Sequence, residues 1–164
     1  MIKNKKHVLS KIKLLSLDVD GILTDGGLYY NQAGEVTRKF NVRDGVGIEK
    51  IQEAGVRVAI ISAGTSSSIL HRAKRLKIVH VHTGVRDKLQ VLQNLSEKLS
   101  ISFSNIAHMG DDLNDINAMK KVGCPITVAD GVAEVKKIAL IITNKSGGMG
   151  AVREICDLIL RHTT

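Results

Sequence analysis

The chain has 164 residues, 43% of them hydrophobic, which suits one domain able to bury a core without disulfides or a structural metal. No window approaches the roughly 18 apolar residues of a membrane span, and the opening MIKNKKHVLSKIKLL lacks the features of a secretory signal, so the cytoplasm is the expected location. The formal charge of +8 fits a small anionic substrate better than nucleic acid or a membrane surface: beyond the cluster Lys3, Lys5, Lys6, Lys11 and Lys13 the basic residues are mixed with acids, and two Phe, two Tyr and no Trp leave little surface for stacking bases.

The apolar run Leu14–Val19 reads as a buried strand, and Leu28–Tyr30 and Val36–Phe40 flank the polar turn Asn31–Gly34 as a β-hairpin does. After it, helix-length segments alternate with short, often β-branched runs. In order these are helix Gly45–Ala54, strand Val56–Ile61, helix Ser66–Leu76, strand Ile78–Val81, helix Lys88–Leu99, strand Ile106–Met109, helix Asp115–Val122, strand Ile126–Val128, helix Val132–Ile138, strand Leu140–Ile142 and helix Ala151–Leu160. The alternation predicts a single α/β domain over residues 1–164. Its doubly wound, Rossmann-like parallel sheet would carry helices on both faces and a ligand crevice outside the carboxyl ends of the strands. Cys124 and Cys156 have no metal-type spacing and sit in apolar surroundings, as buried inert thiols do.

Chemistry-bearing residues fall at those strand ends. Asp18-Val19-Asp20-Gly21 leaves the first strand for a turn, and a lone Asp-x-Asp of this kind also fits a turn cap with a solvated neighbour. Gly110-Asp111-Asp112-Leu113-Asn114-Asp115 follows the fourth strand; acids this close repel unless a cation or backbone amides neutralise them, and hard oxygen donors suit Mg²⁺. Asn114 and Asp115 are also ordinary helix N-caps. Ser62 ends the second strand before Ala63-Gly64-Thr65, where a hydroxyl and the amides of a following helix start can hold phosphate oxygens. Lys88 opens the helix after the third strand. Singly, Ser62 fits a cap and Lys88 a surface charge, but the order Asp-x-Asp, Ser, Lys, Asp-Asp is far more specific than any one of them.

That order resembles the haloacid dehalogenase superfamily over nearly the whole chain. More narrowly, Asp18–Gly26, Phe40–Gly45, Gly110–Asp115 and Gly147–Glu154 resemble the capless 3-deoxy-D-manno-octulosonate 8-phosphate phosphatases, tetrameric Mg²⁺ enzymes of lipopolysaccharide precursor synthesis. The resemblance implies Asp18 as nucleophile forming an aspartyl-phosphate, and Asp20 as acid and then base. It implies Mg²⁺ held by Asp18, the Asp20 backbone carbonyl and Asp111. Ser62, Ala63 and Gly64 would hold the phosphate and Lys88 would stabilise transition-state charge, with Asp112 and Asp115 behind the metal's direct ligands. The substrate would be the octulosonate 8-phosphate or a sialate-type nonulosonate 9-phosphate, which share a carboxylate, a polyol and a terminal phosphate. A phospho-accepting receiver domain, the reading from another class, needs no acid two residues after its nucleophile.

Many relatives carry Thr-Gly-Arg after the second strand where this chain has Ser62-Ala63-Gly64-Thr65, so an anion clamp is missing. Arg43, Arg72 and Arg86 are candidates to replace it, and Arg86 is favoured because it lies two residues before Lys88. Neither the Asp20–Ser62 gap nor the Ser62–Lys88 gap has room for a cap domain. A neighbouring subunit could then wall the open crevice, with the hairpin as a docking edge and the flexible segment Ser146–Gly150 reaching across, and the resemblance implies a homotetramer with shared active sites.

Overall fold

The computed structural model describes residues 2–162, with side chains from residue 5 onward, so Lys3 of the lysine cluster and the ends of the expected 1–164 domain lie outside it. Helix α1 (Ile2–Leu9) leads into β1 (Leu14–Leu17), followed by the hairpin strands β2 (Tyr29–Tyr30) and β3 (Val36–Thr37). Then come α2 (Val42–Glu53), β4 (Arg57–Ile61), α3 (Ser67–Arg75), β5 (His80–His82), α4 (Lys88–Leu99) and β6 (Ile106–Met109). The chain closes through α5 (Ile116–Lys121), β7 (Cys124–Thr127), α6 (Ala133–Ile138), β8 (Ile141–Ile142) and α7 (Ala151–Leu160).

Six strands form one parallel sheet in the order β5-β4-β1-β6-β7-β8, and β2 and β3 pair antiparallel as a separate ribbon. Along β1 alternate side chains enter opposite layers. Leu15 and Leu17 pack with Ile48 and Ile51 of α2 and Val152 and Ile155 of α7, whereas Leu14 packs with Leu92 and Leu95 of α4. The sheet is thus covered on both faces. Because β1 lies between β4 and β6, the chain reverses its winding there, and the ends of β1, β4 and β6 border one crevice.

Several elements differ from the sequence expectation: β1 stops at Leu17 rather than Val19, β3 at Thr37 rather than Phe40, α2 starts at Val42 rather than Gly45, and β7 spans Cys124–Thr127 rather than Ile126–Val128. The helix α1 was not expected in its lysine-rich stretch; Leu9, with Ile12 just beyond the helix, anchors it to the core. Ile78 is not a strand residue: Lys77 adopts φ 54° and the Ile78 N–H donates to Ala73 O at 3.0 Å, so it closes α3 and β5 starts later. The helix expected from Asp115 begins instead as a 3₁₀ turn, Leu113–Asp115, running into α5.

The glycine segment is also different from expectation, since Gly147 and Gly148 are buried within their own chain. The Gly148 N–H donates to Ile22 O (3.0 Å), and the Gly147 N–H to Asp130 (2.9 Å). A Cβ on Gly147 would overlap the carbonyl of Gly21, and one on Gly148, whose φ is +66°, would stand 2.5 Å from the Asp25 nitrogen. Glycine is required there because two backbones touch. The seam is tied further by Asn41, which caps α2 and donates Nδ2–H to Gly148 O at 3.0 Å. Asp44 accepts the Arg153 N–H at 2.8 Å. The Phe40–Gly45 and Gly147–Glu154 motifs are therefore two sides of one internal joint.

Candidate active site

β1 delivers Asp18 to the crevice with 6% of its surface exposed, its Oδ1 accepting the Val19 N–H at 2.7 Å. Lys88, the first residue of α4, is 1% exposed and places Nζ 2.8 Å from Asp18 Oδ2 and 2.7 Å from Asp115 Oδ1. A lysine is rarely so buried unless its charge is balanced. Asp115 Oδ1 also lies 2.9 Å from His108 Nε2, and His108 Nδ1 lies 3.1 Å from Ser16 Oγ. Asp115 Oδ2 accepts the Asp111 N–H at 3.2 Å. A polar column thus runs from mid-sheet Ser16 through His108, Asp115 and Lys88 to Asp18. His108 and Ser16 were not anticipated; a histidine inside the apolar run Ile106–Met109 was the available signal.

The charges in this column set one another. Burial is the largest influence on Asp18 and raises its carboxyl above the usual range, opposed by the Lys88 ammonium and reinforced by Asp115. Burial works against the Lys88 ammonium, but Asp18 and Asp115 outweigh it and raise its pKa. At Asp115 burial is again opposed, here by His108 and Lys88, and the carboxyl lies below its ordinary value. Burial, with Asp18 and Asp115 adding to it, pushes Asp111 up to about 7.

Asp111 sits beside Gly21, whose φ of +83° turns the chain after Asp20 and where any Cβ would overlap the Asp111 carboxylate. Its Oδ1 is buried and has no hydrogen-bond partner. Asp18, Asp111 and Asp115 each offer an oxygen, and the three lie within 4.8 Å of one another. An orphaned carboxylate oxygen in a buried cluster with more acids than the one lysine balances fits a small hard cation. Asp115 is committed to Lys88, His108 and two backbone amides, whereas Asp111 keeps an oxygen with no partner, so Asp111 with the less heavily engaged Asp18 beside it fits the ion best. Asp112 is exposed and caps the Leu113–Asp115 turn, accepting the Leu113 N–H at 2.7 Å.

Asp20 stands between two clefts, one of about 580 Å³ with Asp111, Asp112 and Asn114, the other of about 840 Å³ with Tyr30, Arg38, Gly64, Ser66 and His71. Arg38 of the hairpin holds it through Nε to Oδ1 at 2.7 Å and Nη2 to Oδ2 at 2.9 Å. None of the three arginines expected at the crevice is brought there. Arg86 is exposed, just before the Asp87 cap of α4, and makes no hydrogen bond or ion pair with the described residues. Arg43 is exposed on α2. Arg72 donates to Asn41 O at 2.8 Å and lies over the Phe40 ring.

At the end of β4, Ser62 is buried and its Oγ accepts the Gly64 N–H at 3.1 Å, while Ala63 is exposed and its N–H has no partner among the described residues. The α3 start lies further along than expected, and Ser66 occupies the Ser68 N–H itself at 3.2 Å. With the Gly64 N–H taken by Ser62 Oγ and the Ser68 N–H by Ser66, the open donors in the Ser62–Gly64 turn itself are the Ala63 N–H and the Ser62 hydroxyl. A further groove of about 650 Å³ between α1, β8 and α7 is lined by Lys5, Lys6 and Lys145, with no buried acid or nucleophile.

A strand-end Asp-x-Asp, a buried lysine and a distal acidic turn around one crevice of a doubly wound sheet define a haloacid dehalogenase-like hydrolase, and the model of that family matches residues 77–155. The chain is 44% identical over 157 residues to the 3-deoxy-D-manno-octulosonate 8-phosphate phosphatase KdsC of Salmonella typhi, covering 94% of this chain and 84% of that protein. The Moraxella catarrhalis phosphatase of the same name, solved with magnesium, phosphate and KDO, superposes with TM-score 0.96 at 41% identity over 99% of this chain and 93% of that one. The cobalt-bound Haemophilus influenzae enzyme gives 0.92 at 35% over 95% and 91%. The chain belongs to the 3-deoxy-D-manno-octulosonate 8-phosphate phosphatase family. Among the described residues no helix is long and apolar enough to cross a membrane.

Proposed function

We propose that this protein is a Mg²⁺-dependent phosphatase of sugar-acid phosphates, acting first on 3-deoxy-D-manno-octulosonate 8-phosphate, with a sialate-type nonulosonate 9-phosphate as the second candidate. The observation that carries the reading is the buried Asp18–Lys88 pair beside Asp111, whose orphaned oxygen lacks a protein donor. Asp18, the Asp20 backbone carbonyl and Asp111 would hold the ion. Bound Mg²⁺ supplies positive charge that reduces repulsion between an anionic nucleophile and an anionic ester.

An Asp18 oxygen attacks phosphorus while the bond to the sugar oxygen breaks, leaving an aspartyl-phosphate. Asp20 delivers a proton to the departing alkoxide and then takes one from the water that attacks the same phosphorus, releasing phosphate and restoring Asp18. The Ser62 hydroxyl and the Ala63 amide hold phosphoryl oxygens. Lys88 balances the charge that builds around Asp18, and Asp115, fixed by His108, holds Lys88 in place. The test is phosphate release from sugar-acid phosphates with and without Mg²⁺. Release that needs Mg²⁺ and is lost in Asp18→Asn is expected; equal release without divalent ion would refute the reading.

The working form is proposed to be a cytoplasmic homotetramer with shared active sites. Leu28, Tyr29 and Tyr30 of the hairpin and Met149 are large apolar side chains exposed to solvent, a surface suited to a second copy. With Gly147 and Gly148 committed to their own chain, the hairpin and the side chain of Met149 are left to make the contact. Light scattering should give a mass of about four chains of 17.8 kDa. A fully active monomer at micromolar concentration would remove the shared sites.

A further inference from the structure

Arg38 is bound on one edge only. Its side chain is 4% exposed, and Asp20 takes the edge made by Nε and Nη2. Nη1 is buried with no hydrogen-bond partner. A guanidinium carries five N–H donors, and its second edge, Nη1 with the other Nη2 hydrogen, matches a carboxylate as well as the first does. Buried donors of a charged group left unpaired are unusual in a folded protein. Arg38 has also been given room: a Cβ at residue 64 would stand 2.8 Å from Nη2, so glycine there lets the guanidinium lie against the turn after β4.

Arg38, Asp20 and Gly64 line the cleft of about 840 Å³ together with Tyr30, Ser66 and His71, a volume suited to a small polyol acid. We propose that Arg38 is the specificity-determining residue of this enzyme, holding Asp20 on its Nε–Nη2 edge and the carboxylate of the sugar-acid substrate on its Nη1–Nη2 edge. The proposal rests on the sugar-acid reading given above and names the group that enforces it. One planar cation between two carboxylates ties substrate recognition to Asp20, so a phosphate ester without a carboxylate is bound less well and also leaves Arg38 half-occupied. No other lysine or arginine is among the residues lining this cleft.

The test compares kcat/KM for the octulosonate 8-phosphate with that for a polyol phosphate of similar length lacking the carboxylate, in wild type, Arg38→Gln and Gly64→Ala. In Gly64→Ala the new methyl displaces the flexible end of Arg38 while keeping its charge, which guards against a loss due to charge alone. Wild type should prefer the carboxylated ester, and both variants should lose roughly 10- to 100-fold of that preference, as expected for removal of a charge-assisted bidentate pair. In Arg38→Gln the loss should show mainly in KM for the carboxylated ester. Equal losses on the two esters would show that Arg38 serves only Asp20 and overturn the proposal, as would an undiminished preference in both variants. A wild-type enzyme that does not distinguish the esters would instead overturn the sugar-acid reading itself, and the proposal with it.

Discussion

Replacing Lys88 with methionine keeps an unbranched apolar stem and removes one charge from the centre of the site. Asp18 and Asp115 then lose a partner at 2.8 and 2.7 Å while remaining buried. Breaking a buried pair by deleting one member costs about 3–5 kcal/mol. Asp115 keeps His108 and a backbone N–H, so the lower end applies, about 3 kcal/mol. For a chain of this size that lowers Tm by about 6–12 °C in EDTA. A divalent ion bound only by the folded state stabilises it by about 2.7 kcal/mol at a hundred times its Kd. Deleting Lys88 strengthens the negative field at Asp18 and Asp111, so the Mg²⁺-induced rise in Tm should be larger in the variant than in wild type. Circular dichroism melts of both proteins in EDTA and in Mg²⁺ measure this. A variant melting within about 2 °C of wild type in EDTA would refute the argument that Lys88 balances two buried acids.

Asp18→Asn should retain the fold and abolish turnover, read by phosphate release alongside a melt; substantial release would rule out the covalent path. Asp20→Asn should lower kcat by roughly 10²–10⁴, and wild-type rates would remove its acid–base role. Asp111→Ala should weaken Mg²⁺ binding far more than Asp25→Ala, because Asp25 is engaged with Lys39 at 2.6 Å and the Gly27 N–H instead; matching titration curves would contradict the metal assignment. Burial pushes the thiols of Cys124 and Cys156 up to about 12, so at pH 8 both stay protonated in the folded protein. A thiol reagent should therefore find neither until denaturant is added, and rapid labelling of the native protein would show otherwise.

The end of the fourth expected strand was legible because an apolar run stops at a definite residue, Ile106–Met109 ending two positions before Asp111, whereas the first strand was read through Val19 and stops at Leu17, one position before Asp18. Lys88 was legible as the opening residue of a helix. Arg38 was not, since nothing local distinguishes it from Lys39 beside it. Its role comes from Asp20, 18 positions earlier, and from a missing side chain at Gly64. His108 was hidden for a similar reason, because its partners Ser16 and Asp115 are 92 and 7 positions away. The glycine run after β8 was misread as freedom to extend: composition reports what a backbone can do, whereas the seam with Gly21–Asp25 depends on what it meets. Ile78 went to a helix end because its N–H closes onto Ala73 O and its side chain is buried, gains that offset the steric cost of a left-handed Lys77.

The joint between Asn41 and Gly148 links residues 107 positions apart in sequence. During synthesis at roughly 5–20 residues per second, the turn that follows the nucleophile waits several seconds for the glycines that brace it. Until they arrive, the loop carrying Asp20 has the sheet beneath it and no wall behind it. The brace behind the nucleophile's turn can thus close only after Gly147 and Gly148 are made, and a chain truncated before Gly147 would lack that wall of the site.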